Sequence, residues 1–124
     1  EKEIHVKCLA GATALIPALV QSGLPTNRFI FEGFLPSKKG RQKRLSSFAE
    51  ETKTIVFYEN PHKLLKTLQQ LKPHLGPDRT LVILRELTKL HETVYSLTLQ
   101  SAILFFEQNP PKGEIVVCVE GIKH

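Results

Sequence analysis

The sequence predicts a single α/β layered domain: a mixed sheet of five to six strands with about four helices. Three observations carry this. Short β-branched and aromatic runs alternate with leucine patterns at helical spacing. Connectors rich in proline and glycine separate them. Two strand-like runs, Leu81–Leu84 and Thr93–Leu99, follow one another across a short polar link, which suggests an antiparallel pair in an otherwise interleaved order.

Taken in order, Ile4–Leu9 alternates apolar and polar residues and reads as a strand. Small residues at 10–12 break it, and Thr13 caps a helix over Ala14–Gln21, closed by Gly23 and Pro25. Phe29–Leu35 is an aromatic strand in which Gly33 signals a bulge. A basic loop, Ser37–Lys43, leads into a helix from about Gln42 to Glu51 carrying Leu45, Phe48 and Ala49.

The organising stretch is Lys53–Leu71. Thr54–Tyr58 has the composition of a buried strand. Asn60 is placed to cap a helix, with Pro61 at its first position, where a missing N–H costs nothing. Leu64, Leu65, Leu68 and Leu71 then share one helical face. Lys72–Arg79 reads as a connector. Leu81–Leu84 is a buried strand, Arg85–Glu92 a polar link, and Thr93–Leu99 an alternating strand. Gln100–Glu107 is a short helix, and Glu114–Glu120 a last strand.

The 124 residues fit one domain, and 41% hydrophobic residues suffice for a core. No apolar run reaches the ~20 residues of a membrane span, and no signal peptide is visible. Cys8 and Cys118 sit in apolar runs, as buried free thiols of a reducing compartment do. The chain contains no methionine and opens in what reads as mid-strand, so the expectation is a piece of a longer protein.

The net charge of +5 favours anionic partners. It is unevenly placed: Lys38, Lys39, Arg41, Lys43 and Arg44 put five cations into seven residues with no acid among them. Such a run meets phosphates without reading bases. Aromatic residues fall mostly in buried-looking strands, which argues against a stacking platform. Tyr58, Glu59, Asn60, His62 and Lys63 gather where a strand's carboxyl end meets a helix, a common ligand position in α/β sheets. His62 beside Glu59 has the chemistry of an acid–base pair, but no serine or cysteine nucleophile accompanies it. Histidines are scattered, so no metal site is expected. Neither a G-x-G-x-x-G nor a P-loop occurs.

Several motifs occur in register: Gly11-Ala12-Thr13-Ala14, Ser22-Gly23-Leu24-Pro25-Thr26-Asn27-Arg28-Phe29, Phe31-Glu32-Gly33-Phe34-Leu35-Pro36, Phe57-Tyr58-Glu59-Asn60-Pro61-His62-Lys63, Arg85-Glu86-Leu87-Thr88-Lys89-Leu90-His91-Glu92 and Lys112-Gly113-Glu114. Together they resemble the C-terminal half of the tetrapyrrole-methylase-like family. Within it they are most similar to the bacterial branch that methylates a cytidine ribose 2′-hydroxyl of small-subunit ribosomal RNA. Ala10 departs from the family, where a proline commonly precedes the glycine.

The resemblance implies two α/β domains with S-adenosylmethionine in the cleft between them. Residues 1–10 would be the linking strand from an absent N-terminal domain, and residues 11–124 the C-terminal methyltransferase domain. Cofactor contacts would come from Ala12 and Thr13, from Tyr58 and Glu59, and from Leu87 and Thr88. Lys38, Lys39, Arg41, Lys43 and Arg44, with His62, Lys63 and Lys89, would face the RNA. Glu86 and Glu92 would face the cleft or the RNA. Partners would be ribosomal RNA or the small subunit, the N-terminal domain, and a second copy in a homodimer, in the cytoplasm with no membrane. No catalytic base is assigned. A corrin or porphyrin methyltransferase, or a non-catalytic RNA-binding or assembly domain, are the alternative readings.

Overall fold

The computed structural model describes residues 29–88 and 91–122. Over these, five strands and three helices interleave: β1 (Phe29–Phe34), α1 (Arg41–Ser47), a 3-10 turn (Phe48–Glu50), β2 (Thr54–Glu59), α2 (Leu64–Leu75), β3 (Thr80–Thr88), β4 (His91–Thr98), α3 (Leu99–Gln108) and β5 (Glu114–Val119). The strand expected over Ile4–Leu9 and the helix over Ala14–Gln21 lie outside the described residues, as do Ala12, Thr13 and Lys89.

The strands form one mixed sheet in the order β1-β2-β5-β3-β4. β1 runs parallel to β2, and β5 runs antiparallel to both β2 and β3. β1, β2 and β3 therefore point the same way, and their carboxyl ends lie at one end of the sheet. The antiparallel β3–β4 pair is present as expected.

Side-chain alternation splits the sheet into two buried faces. Ile55, Phe57, Leu81, Ile83, Ile115, Val117 and Val119 pack with Leu45, Phe48, Leu64, Leu68, Leu71, Leu99, Ile103 and Phe106. All three helices thus lie on this first face. Val56, Val82, Leu84, Val116 and Cys118 form a second cluster, with Phe29 and Tyr58 against it. Near-continuous apolar runs in β2, β3 and β5 are what two buried faces demand.

Four boundaries differ from the sequence reading. The polar link Arg85–Glu92 is largely strand, because β3 and β4 continue pairing to Thr88↔His91. Polar residues can extend a hairpin when its backbone bonds are satisfied by the partner strand. Pro73 does not end α2: the helix runs on to Leu75 and stops at Gly76. Pro73 leaves the Gln69 carbonyl without its helical donor, and Gln69 lies on the exposed face where water can replace it. Asn60 and Pro61 do not begin α2, which starts at Leu64 with Lys63 as its cap residue. Asn60 instead closes a turn, its Oδ1 accepting from the His62 N–H at 2.8 Å and its carbonyl from the Lys63 N–H at 2.9 Å. Leu99 opens α3 rather than closing β4, because the Thr98 hydroxyl accepts from the Ser101 N–H at 3.1 Å and caps the helix there.

The bulge expected at Gly33 is present. The β1–β2 register shifts between Phe31 and Gly33, and Gly33 takes φ +68°, a conformation that glycine adopts freely.

Candidate functional site

The common carboxyl end of β1, β2 and β3 gathers the sequence-predicted cluster. Phe34 ends β1, Tyr58 and Glu59 end β2, and Leu87 and Thr88 end β3. β5 lies between β2 and β3, and Glu59 is level with Arg85 through Ile115, so Leu87 and Thr88 project beyond the end of β2 and lie about 12–14 Å from Glu59. In α/β sheets this end is where loops leave room for a ligand.

Tyr58 and Glu59 face opposite ways, as period-two alternation requires. Glu59 falls on the helix-covered face and is only 8% exposed. Its Oε1 accepts from the Asn60 N–H at 2.8 Å, and its Oε2 accepts from the Thr67 hydroxyl at 2.6 Å. The Thr67 oxygen in turn accepts from Arg41 Nη2 at 2.8 Å. The same guanidinium donates from Nε to Gln70 Oε1 and from Nη1 to the Pro36 carbonyl, each at 2.9 Å. Glu59 and Arg41 therefore tie the loop after β1 to α2 and the end of β2. A single hydroxyl that donates once and accepts once links an acid and a base that are not in contact.

Tyr58 lies on the other face, against Val56 and its neighbours. Its ring meets Phe31 at 5.3 Å and Phe34 at 5.4 Å between centroids. Its hydroxyl is buried with no hydrogen-bond partner among the described residues. Burial pushes the phenol above its ordinary value, and the charge of Glu114 adds to the shift.

The five-cation run divides into three behaviours. Arg41 is spent internally, as described. Arg44 pairs with Glu32. Lys38, Lys39 and Lys43 are exposed and make no ion pair or hydrogen bond through their side chains among the described residues. His62 and Lys63 are also exposed, at the turn that precedes α2. Arg85, expected in a loop, is strand; its guanidinium stands over the Tyr95 ring at 5.8 Å, and its Nε is buried without a partner among the described residues. Among the described residues no group of His, Cys, Asp and Glu could hold a metal ion, and no helix is long and apolar enough to cross a membrane.

Sequence reasoning missed two features. The Glu59–Thr67–Arg41 chain leaves no local signal, since its members are 8 and 26 residues apart in sequence. The aromatic residues of β1 were expected in the core, yet Phe31 is 43% and Phe34 68% exposed. A bulge signal followed by a second aromatic was the available clue to the latter.

The family model of the tetrapyrrole (corrin/porphyrin) methylases matches residues 1–103. The chain belongs to the tetrapyrrole methylase family. This tetrapyrrole methylase domain is 52% identical over 122 residues to the ribosomal RNA small subunit methyltransferase I of Synechocystis sp.. It is 44% identical over 124 residues to the protein of that name from Haemophilus influenzae. Each comparison covers 98% of this chain and 44% of the relative, so the chain spans less than half the length of these curated relatives. Among solved structures it is similar to the methyltransferase CobJ, with TM-score 0.64 and 22% identity over 88% of this chain and 48% of that one. A cobalt precorrin-4 methyltransferase, CbiF, follows with TM-score 0.63 and 14% identity over 86% of this chain and 48% of that one. These two likenesses establish the mixed α/β fold.

Proposed function

We propose that this chain is the C-terminal part of an S-adenosylmethionine-dependent methyltransferase acting on a ribose 2′-hydroxyl of small-subunit ribosomal RNA. In this reading residues 1–10 are the strand linking it to an N-terminal domain, and residues 11–124 are the C-terminal domain. The observation that carries it is the shared carboxyl end of β1, β2 and β3, with Lys38 and Lys39 on the loop after β1 and Lys43 in α1 exposed and unpaired among the described residues. The similarity to proteins named as ribosomal RNA methyltransferases supports RNA over a tetrapyrrole substrate. So does the position of the lysines: a polycarboxylate tetrapyrrole needs its cations inside the cleft, whereas Lys38, Lys39 and Lys43 are exposed.

The residues present fit the cofactor at Tyr58, whose buried hydroxyl has no hydrogen-bond partner among the described residues. They do not fit it at Glu59, whose two oxygens are already engaged. Tyr58 would hold the cofactor together with the ends of β3 at Leu87 and Thr88, and with Ala12 and Thr13 from the preceding segment. Bound there, S-adenosylmethionine supplies a methyl group already activated by its sulfonium. The chain's own residues then have three tasks. Tyr58 positions through its ring and phenol. Glu59, Thr67 and Arg41 hold the β2–α2 junction so that the site keeps its shape. Lys38, Lys39 and Lys43, with His62, Lys63 and Lys89, meet RNA phosphates. A ribose hydroxyl is a weak nucleophile and needs a base; no described residue is assigned that role. The protein is taken to act in the cytoplasm as a homodimer.

The deciding experiment is methyl transfer from labelled cofactor by the full natural protein, offered small ribosomal subunits and a precorrin side by side. Label in the RNA is the expected result. Label in the precorrin alone overturns the assignment. Replacing Lys38, Lys39 and Lys43 together with Ala should reduce the slope of log affinity against log salt by about 2, at about 0.7 per lost single-strand phosphate contact. An unchanged slope removes the basic loop from the interface.

A further inference from the structure

Two aromatic residues of β1, Phe31 and Phe34, stand outside the core, whereas Phe29 of the same strand packs against it. In a regular strand Phe31 and Phe34, three positions apart, would point to opposite faces. The bulge at Gly33 adds one residue to β1, so that Phe31 pairs with Val56 and Phe34 with Tyr58, two residues apart on β2. Both phenylalanines then lie on the Tyr58 face, with ring centroids within 5.4 Å of the Tyr58 ring. The backbone cost of a positive φ at Gly33 serves to put two phenylalanines where they remain 43% and 68% exposed. β1 is also one of the two edge strands of the sheet among the described residues.

The surroundings indicate what covers them. Lys38 follows Phe34 by four residues, a reach of at most about 14 Å of backbone. Lys38, Lys39 and Lys43 are exposed and unpaired among the described residues, while Glu32, the acid within β1, is neutralised by Arg44. An exposed aromatic step beside uncompensated cations is complementary to a polyanion that carries flat apolar groups.

We propose that Phe34, backed by Phe31 and Tyr58, is a stacking platform for an unpaired nucleobase of the RNA whose phosphates meet Lys38, Lys39 and Lys43. The inference rests on the RNA reading above and adds to it: the substrate region presented to this chain is single-stranded or splayed out. Base-paired RNA offers no free base face to an aromatic ring. Phe34 supplies the stacking face, Tyr58 supports it from the neighbouring strand, and the lysines hold the adjoining backbone phosphates. Stacking of this kind tolerates any base, so sequence choice is left to other contacts.

The test uses the full natural protein and two polyanions: an unstructured single-stranded oligoribonucleotide and inorganic polyphosphate of similar charge. Phe34→Ala should weaken binding to the oligoribonucleotide by at least about fivefold, the low end for one stacked base. It should leave binding to polyphosphate and the salt slope unchanged. Phe34→Trp should restore affinity, and its indole fluorescence should be quenched by the oligoribonucleotide and not by polyphosphate. Equal weakening for both polyanions overturns the stacking role. Unchanged RNA affinity overturns it as well, and a simultaneous loss of dimer on gel filtration would identify a second copy as the occupant. If the unsubstituted protein binds the oligoribonucleotide no better than polyphosphate and methylates no RNA, the RNA reading falls, and this inference with it. Normal RNA methylation with an indifferent Phe34→Ala removes the platform alone.

Discussion

Thr67 offers the sharpest test of how the candidate site is held. Its side chain is fully buried in α2. The hydroxyl donates to Glu59 Oε2 at 2.6 Å and accepts from Arg41 Nη2 at 2.8 Å. Thr67→Val keeps the shape and removes both bonds. A hydrogen bond to a charged group contributes about 1.5–3 kcal/mol. The two share one oxygen and do not add fully, so the expected loss is about 2–4 kcal/mol. Most of it comes from Glu59, which at 8% exposure has little water to turn to. Urea unfolding followed by circular dichroism measures the loss by linear extrapolation. Thr67→Ser is the control: it keeps the hydroxyl and loses one methyl, about 0.8 kcal/mol. A Val variant less than about 1 kcal/mol below the parent, or a Ser variant as unstable as Val, would show that the three residues do not act as a chain.

Three further expectations follow from single positions. A Cβ on Gly121 would lie 2.1 Å from the Thr52 carbonyl oxygen, which is backbone, so Gly121→Ala should cost about 1–3 kcal/mol in the same assay; a neutral result would mean that Gly121 does not lie against the Thr52 backbone. Gly33→Ala meets no atom within 4 Å but inherits φ +68°, so its cost should be conformational, about 1–2 kcal/mol, and smaller for Gly33→Asn; equal costs for the two would refute that cause. Burial pushes the Cys118 thiol up to about 12, so the folded chain keeps a proton that the unfolded chain releases above the ordinary thiol value. Its contribution is thus full below that value and lost as pH rises towards 12, giving a downward stability slope that Cys118→Ala lacks. Alkylation of the native thiol at about pH 9 as fast as in urea would contradict this.

Much of the architecture was legible in the chain because it is written in short-range pattern. Apolar runs two residues in period or continuous marked β2, β3 and β5, and the leucines of α2 marked its buried face. The motifs carry the family resemblance by themselves, and the fold agrees with it. The bulge at Gly33 was legible for the same reason: a lone glycine in a strand has few other uses.

What the sequence by itself determined was therefore the list of elements over the described residues, the family and the gathering of polar residues after β2. Only the tertiary structure decided which of those residues are free to act. Arg41 and Lys38 look alike in a run of cations, yet one is consumed by Pro36, Thr67 and Gln70, and the other stays in solvent. Phe34 and Phe57 look alike in aromatic strands, yet one is exposed and the other sealed. The physical reason is common to both. Availability depends on partners distant in sequence and on strand register, and one inserted residue at Gly33 is enough to turn a side chain from one face to the other.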